Sequence, residues 1–249
     1  MGKVIAISNH KGGVGKTTSA LNIGVGLSLL KKKVLLIDLD PQSNLTESLG
    51  IEDVEESIYE ALIGEIPLKG TKVSDTLYIV PSTIDLTGAE IELSSEIGRE
   101  AILRKLINKV KGDYDYIFID CPPSLGLLTI NALTAADEIY IPLQAEYLAF
   151  KGLSRLISVV EKVRDALNEN LEISGVIITR FSSRKILNQN IADVTGEYFE
   201  DKLFKTRIRE NIALAEAPSQ GNHIFDYDAK SNGAIDYMAL CKEILERES

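Results

Sequence analysis

Unbroken apolar runs of strand length recur along the chain: Val4-Ile5-Ala6-Ile7, Val34-Leu35-Leu36-Ile37, Leu77-Tyr78-Ile79-Val80 and Tyr116-Ile117-Phe118-Ile119. Glu138-Ile139-Tyr140-Ile141-Pro142 and the stretch from Ile173 to Thr179 continue the series. A run with no polar alternation marks a strand covered on both faces, as in a parallel sheet. Between the runs lie segments with helical spacing, over about 18–30, 86–94, 98–111, 151–168 and 232–247. Strand alternating with helix predicts right-handed crossovers, hence an α/β fold with a mostly parallel, twisted central sheet and helices on both faces. Residues 51–76 predict short helices and polar loops, and Lys31-Lys32-Lys33 is expected to close the first helix, where cations suit the dipole.

Composition narrows the class. At 249 residues, 45% hydrophobic and 26% charged, the chain suits a single soluble domain spanning 1–249. Cys121 and Cys241 lie far apart and form no C-x-x-C pair, which argues against a disulfide framework, a zinc site or an iron–sulfur cluster. Met1-Gly2-Lys3 runs into a strand without a cleavage-site pattern, and the longest apolar run, Leu21 to Leu30, is too short to span a bilayer. A cytoplasmic protein is expected.

The formal charge of −10 repels nucleic acid overall, so any DNA contact must come from a local patch or a surface made by two subunits. Glu47, Glu52, Asp53, Glu55, Glu56 and Glu60 crowd into fourteen residues. That crowding reads as a solvated helix face or as a docking face for a basic partner segment. Residues 180–209 carry seven basic side chains against four acidic ones, a local excess of positive charge.

The chemistry concentrates in Ser8-Asn9-His10-Lys11-Gly12-Gly13-Val14-Gly15-Lys16-Thr17-Thr18, between the first strand and the first helix. A glycine-rich loop in that position turns backbone N–H groups and a helix N-terminus onto a phosphate. Lys16 would reach the β- and γ-phosphates, and Thr17 would ligate Mg²⁺. Two later strands end on carboxylates, Asp38-Leu39-Asp40 and Asp120. Both acids therefore emerge on the same sheet edge as the loop, where α/β ligands bind, with Asp120 placed to hold the cation opposite Thr17.

Lys11-Gly12-Gly13-Val14-Gly15-Lys16-Thr17-Thr18, with His10 where the strict pattern has glycine, resembles the deviant Walker A loop of the ParA/MinD superfamily of P-loop ATPases. Asp38-Leu39-Asp40-Pro41-Gln42, Asp120-Cys121-Pro122-Pro123-Ser124, Gln144-Ala145-Glu146-Tyr147 and Ala215-Glu216-Ala217-Pro218-Ser219 are similar to further motifs of its ParA/Soj branch. The resemblance implies ATP and Mg²⁺ as cofactors and a homodimer formed with ATP, in which Lys11 reaches the partner subunit's phosphates. It implies Asp40 positioning the attacking water, with Lys11 and Lys16 neutralising charge, Asp38 supporting the Mg²⁺ shell, a γ-phosphate sensor at Pro122 to Gly126, and Thr179 and Pro218 beside adenine. It further implies non-specific binding of double-stranded DNA and a ParB-type centromere-binding protein that stimulates hydrolysis, so that a plasmid or chromosome is segregated on the nucleoid.

Candidate DNA contacts are Arg184, Lys185, Lys202, Lys205, Arg207 and Arg209, although members of the family carry arginine where this chain has Glu210 and Ala213, and aspartate where it has Ser182. Two alternatives stay open: an ATPase of this kind positioning a protein cargo, and a MinD-like division regulator at a membrane. The acidic ending Cys241-Lys242-Glu243-Ile244-Leu245-Glu246-Arg247-Glu248-Ser249 does not suit the latter, so no membrane partner is expected.

Overall fold

A computed structural model describes residues 2–146 and 149–248, with side chains omitted for 149–152. The apolar runs form one seven-stranded sheet: β1 (Lys3–Ile7), β2 (Val34–Asp38), β3 (Thr71–Lys72), β4 (Leu77–Val80), β5 (Tyr116–Asp120), β6 (Glu138–Gln144) and β7 (Glu172–Thr179). Their order is β3-β4-β2-β5-β1-β6-β7, parallel throughout except that β3 pairs antiparallel with β4. β3 was not expected: only two exposed residues long, it leaves no hydrophobic signal in the 51–76 stretch.

The period-2 rule sorts each central strand between two cores. Val4, Ala6, Leu35, Ile37, Ile117 and Ile119 face one way. They pack beneath α3 (Ile58–Ile63), α4 (Leu86–Glu92), α5 (Ile102–Val110), α6 (Leu127–Ala135) and α7 (Ala149–Ala166), the third to seventh helices in chain order. Ile5, Ile7, Leu36 and Phe118 face the other way, toward the first helix, α1 (Lys16–Leu29), the short α2 (Asn44–Glu47) and the terminal α11 (Asn232–Arg247). Between α7 and α11 come α8 (Ile186–Phe199) along the β7 edge and the single turns α9 (Ala213–Glu216) and α10 (Ile224–Tyr227).

The lysine triplet closes α1 through its backbone, with Lys31 N and Lys32 N donating to Ser28 O and Leu27 O at 2.9 and 3.0 Å, not through its charges. Lys31 takes a left-handed turn at φ 69°, and Lys33 lies over the rings of Tyr78 and Tyr114 at 5.4 and 5.2 Å. The cation therefore meets aromatic faces instead of helix carbonyls.

Candidate nucleotide site

The central strand β1 delivers the glycine loop to the carboxyl edge of the sheet, flanked by β5 and β6. Gly13 and Gly15 have φ of +73° and +90°, a region that side-chain-bearing residues rarely adopt. A Cβ on Gly12 or Gly13 would meet nothing within 4 Å, so the loop backbone presents an open concave face. Gly15 forms the N-cap of α1 with no side chain donating or accepting there, which leaves the first-turn N–H groups for an anion. Asn9 fixes the loop's base: its Nδ2 donates to Pro142 O at 2.7 Å, and its Oδ1 accepts from Lys11 N at 3.0 Å.

Lys16 is buried and donates to Lys11 O across the loop at 3.4 Å. Burial pushes its ammonium below the ordinary lysine pKa, against the opposing pull of Asp120, Cys121 and Asp40. A long, partly desolvated cation without a close anion is suited to take a phosphate.

Asp38 and Asp120 stand at matching positions on the paired strands β2 and β5. Asp38 is fully engaged: Oδ2 accepts from Thr46 N at 2.9 Å and Thr46 Oγ1 at 2.7 Å, and Oδ1 accepts from Asp40 N at 3.2 Å. Burial nevertheless drives its pKa up to about 6. Asp120 differs: both its oxygens are buried and neither completes a hydrogen bond. Burial and then the neighbouring Asp38 carboxylate push its pKa well above the carboxylate range, while Thr17 and Lys16 favour the charged form. A buried, unpartnered carboxylate beside a threonine hydroxyl fits a hard divalent cation with oxygen ligands. Among the described residues no group of three or more His, Cys, Asp or Glu side chains could hold a metal. Mg²⁺ needs no such group, since it binds through one or two carboxylates and keeps water and substrate phosphate oxygens.

Asp40 is also buried; its Oδ1 accepts from Gln42 N at 3.0 Å, and Ser82 Oγ donates to its backbone carbonyl at 2.9 Å. Thr46 and Ser82, which the sequence did not single out, link the acidic loop to β4 through the bond from Ser82 N to Thr46 Oγ1 at 3.0 Å. Thr179 adjoins the glycine loop, donating from Oγ1 to Val14 O at 2.8 Å. Pro218 sits in the turn 217–220, whose following Gly221 packs closely on Gly50. Lys11 reaches away from the loop and pairs with Glu146 at 2.8 Å. Tyr147 of the same motif lies outside the described residues.

The six basic candidates do not share one surface. Lys202, Lys205 and Arg207 line a groove of about 830 Å³ at the amino edge of the sheet, opposite the glycine loop, among Glu138, Glu172, Asp201 and Glu248. Lys185 pairs with Glu210 at 3.0 Å, and Arg209 grips Asp236 through Nε and Nη2 at 2.7–3.1 Å. Arg207 lies over the Phe181 ring at 4.7 Å. Arg184 is exposed on the loop before α8, at the carboxyl end of β7.

A parallel sheet whose central strand feeds a phosphate-ready loop, flanked by strands ending on Asp38 and Asp120, defines a P-loop nucleoside triphosphatase. A family model described as an AAA domain matches residues 2–173. The sporulation initiation inhibitor protein Soj of Bacillus subtilis is 50% identical, covering 98% of each chain. The chromosome-partitioning ATPase Soj of Treponema pallidum is 45% identical over 100% of this chain and 99% of its own. Among solved structures, the cobyrinic acid a,c-diamide synthase of Mycobacterium smegmatis with a bound ATP analog and magnesium is 34% identical, with a TM-score of 0.86. That match covers 100% of this chain and 96% of the mycobacterial one. The chain belongs to the Soj/ParA family of chromosome-partitioning ATPases.

Proposed function

We propose that this protein is a DNA-tethered partition switch: ATP·Mg²⁺ joins two subunits face to face, the dimer holds duplex DNA without sequence preference, and hydrolysis releases it. The carrying observation is the loop itself, where a buried Lys16 and an outward Lys11 share one glycine-rich turn beside the unpartnered Asp120. Lys16 and the loop amides bind the β- and γ-phosphates. Thr17 and Asp120 hold Mg²⁺, with Asp38 keeping the adjoining loop in place through Thr46. When bound, the cation supplies charge neutralisation on the phosphates. Asp40 orients the attacking water, and Lys11 from each subunit reaches the other's phosphates. Thr179 supports the loop from the β7 side; Pro218 is assigned to the adenine side on family resemblance.

Full-length identity of 45% to the chromosome-partitioning ATPase of Treponema, against 34% to the mycobacterial synthase, favours partition over cobyrinic acid a,c-diamide synthesis. A ParB-type centromere-binding protein is the proposed accelerator of hydrolysis, and the nucleoid the proposed location. No described helix is long and apolar enough to cross a membrane. Sedimentation of wild type and Lys11→Ala with ATP, ADP and no nucleotide tests the switch. Wild type should dimerise with ATP alone, and a Lys11→Ala protein that still dimerises normally would remove the cross-subunit role.

A further inference from the structure

The net charge of the chain is not spread over its surface. Residues 47–100 contain thirteen acidic and three basic side chains, so this segment alone carries the full −10 and the remainder is neutral. The same segment leaves large apolar side chains in solvent: Ile84 is 65%, Ile91 77% and Ile97 97% exposed. Ile84 stands in the turn that leads into α4 and Ile91 on α4 itself, both exposed, while Leu86 and Ala89 of the same helix are buried. Ile97 lies on the turn that follows α4. Tyr59 of α3 brings Glu92, Glu65 and Asp85 together beside this surface. Arg99 is engaged within the segment itself, donating to Ser94 O and pairing with Glu100 at 3.2 Å. Isoleucines held in water within an acidic field fit one kind of occupant, a segment with apolar side chains flanked by lysine or arginine.

The inner edge of α4 touches the nucleotide switch. Glu90 Oε1 accepts from Leu128 N at 3.3 Å, at the start of α6, and the Glu90 carboxylate fills the space where a Cβ on Gly126 would stand. Gly126 ends the loop that begins at Asp120. A load on the exposed surface of α4 therefore reaches the segment after the Mg²⁺ ligand through one side chain.

We infer that the exposed surface made by α4 and the turns on either side of it, with Ile84, Ile91 and Ile97, is the docking surface for a basic amphipathic segment of the partner that stimulates hydrolysis, and that Glu90 transmits its binding to the Asp120 loop. This rests on the partition reading above. The test measures ATP turnover with duplex DNA while titrating the ParB-type protein of the same organism. The variants are an Ile84→Ser/Ile91→Ser double and an Asp85→Lys/Glu96→Lys double. Both should keep basal turnover and ATP-dependent DNA binding, while the partner concentration for half-maximal stimulation rises about ten-fold or more. Glu90→Gln should bind the partner normally yet respond less. Wild-type stimulation of both doubles overturns the surface, and wild-type stimulation of Glu90→Gln overturns the coupling. A wild-type protein that the partner does not stimulate overturns the partner reading itself, and the surface with it.

Discussion

Lys11 Nζ sits 2.8 Å from Glu146 Oε2, so the lysine proposed to cross a dimer interface is held in the single subunit by its own chain. Glu146 is steadied by Gln144 Nε2, which donates to its other oxygen at 2.7 Å. Both partners are substantially exposed, so the pair is worth at most about 1 kcal/mol. Two such pairs break per dimer, so Glu146→Gln should lower the protein concentration needed for ATP-driven dimerisation by up to about thirty-fold. Light scattering against concentration reads this directly, and an unchanged midpoint would show that the pair exerts no restraint.

Lys16→Ala and Asp40→Ala should fail in different ways. Loss of a buried charged phosphate donor should cost about 2–5 kcal/mol of nucleotide affinity. Asp40→Ala should keep nucleotide, accumulate the ATP dimer on DNA and turn over about 100-fold more slowly. Fluorescent nucleotide titration and a phosphate-release assay separate the two; a monomeric Asp40→Ala protein in ATP would remove its assigned role.

The unpartnered Asp120 makes a prediction about stability. Its carboxyl is pushed well above its usual pKa by burial and by Asp38, so the ionised form costs the nucleotide-free fold at neutral pH. Asp120→Asn should raise apo stability by about 1–2 kcal/mol, while losing the extra stabilisation that Mg²⁺ adds to bound ATP. Thermal unfolding with and without Mg·ATP checks both halves, and a less stable apo variant would contradict the reading of Asp120 as strained.

Glu243 predicts a pH dependence of opposite sign. Burial would raise its pKa, but the backbone N–H groups of Lys205 and Thr206, at 2.7 and 2.8 Å, hold it below 4.5. A carboxyl depressed in the folded state contributes stability above its unfolded pKa and loses it as pH falls through the folded one. Glu243→Gln should therefore destabilise the protein by about 1 kcal/mol at pH 7, with the gap to wild type closing as pH falls below about 4. Urea unfolding at both pH values measures it.

Where a strand is covered on both faces its sequence is unmistakable, and β2 and β5 were legible to within a residue, together with the terminal carboxylates that face the loop. α8 was not legible, because its buried side includes Asn188, Ala192 and Thr195 while Ile186, Leu187, Val194 and Tyr198 point outward. α6 escaped similarly: Thr129, Asn131 and Thr134 are buried among its apolar residues, which erases the period. The pairing of Lys11 with Glu146 spans 135 residues of sequence and has no local signature. The basic cluster was legible as composition but not its division in space, since Asp236 claims Arg209 while Lys202, Lys205 and Arg207 gather in one groove at the amino edge.

The central claim is that ATP makes this acidic protein hold DNA. The direct measurement is binding to random-sequence duplex DNA with ADP, with ATP, and with ATP at raised salt, comparing wild type with Arg184→Ala. The account predicts binding with ATP only, falling steeply with salt as counterions are released, and weakened in the variant without change in dimerisation. Equal binding with ADP and ATP, or no binding with either, would contradict it.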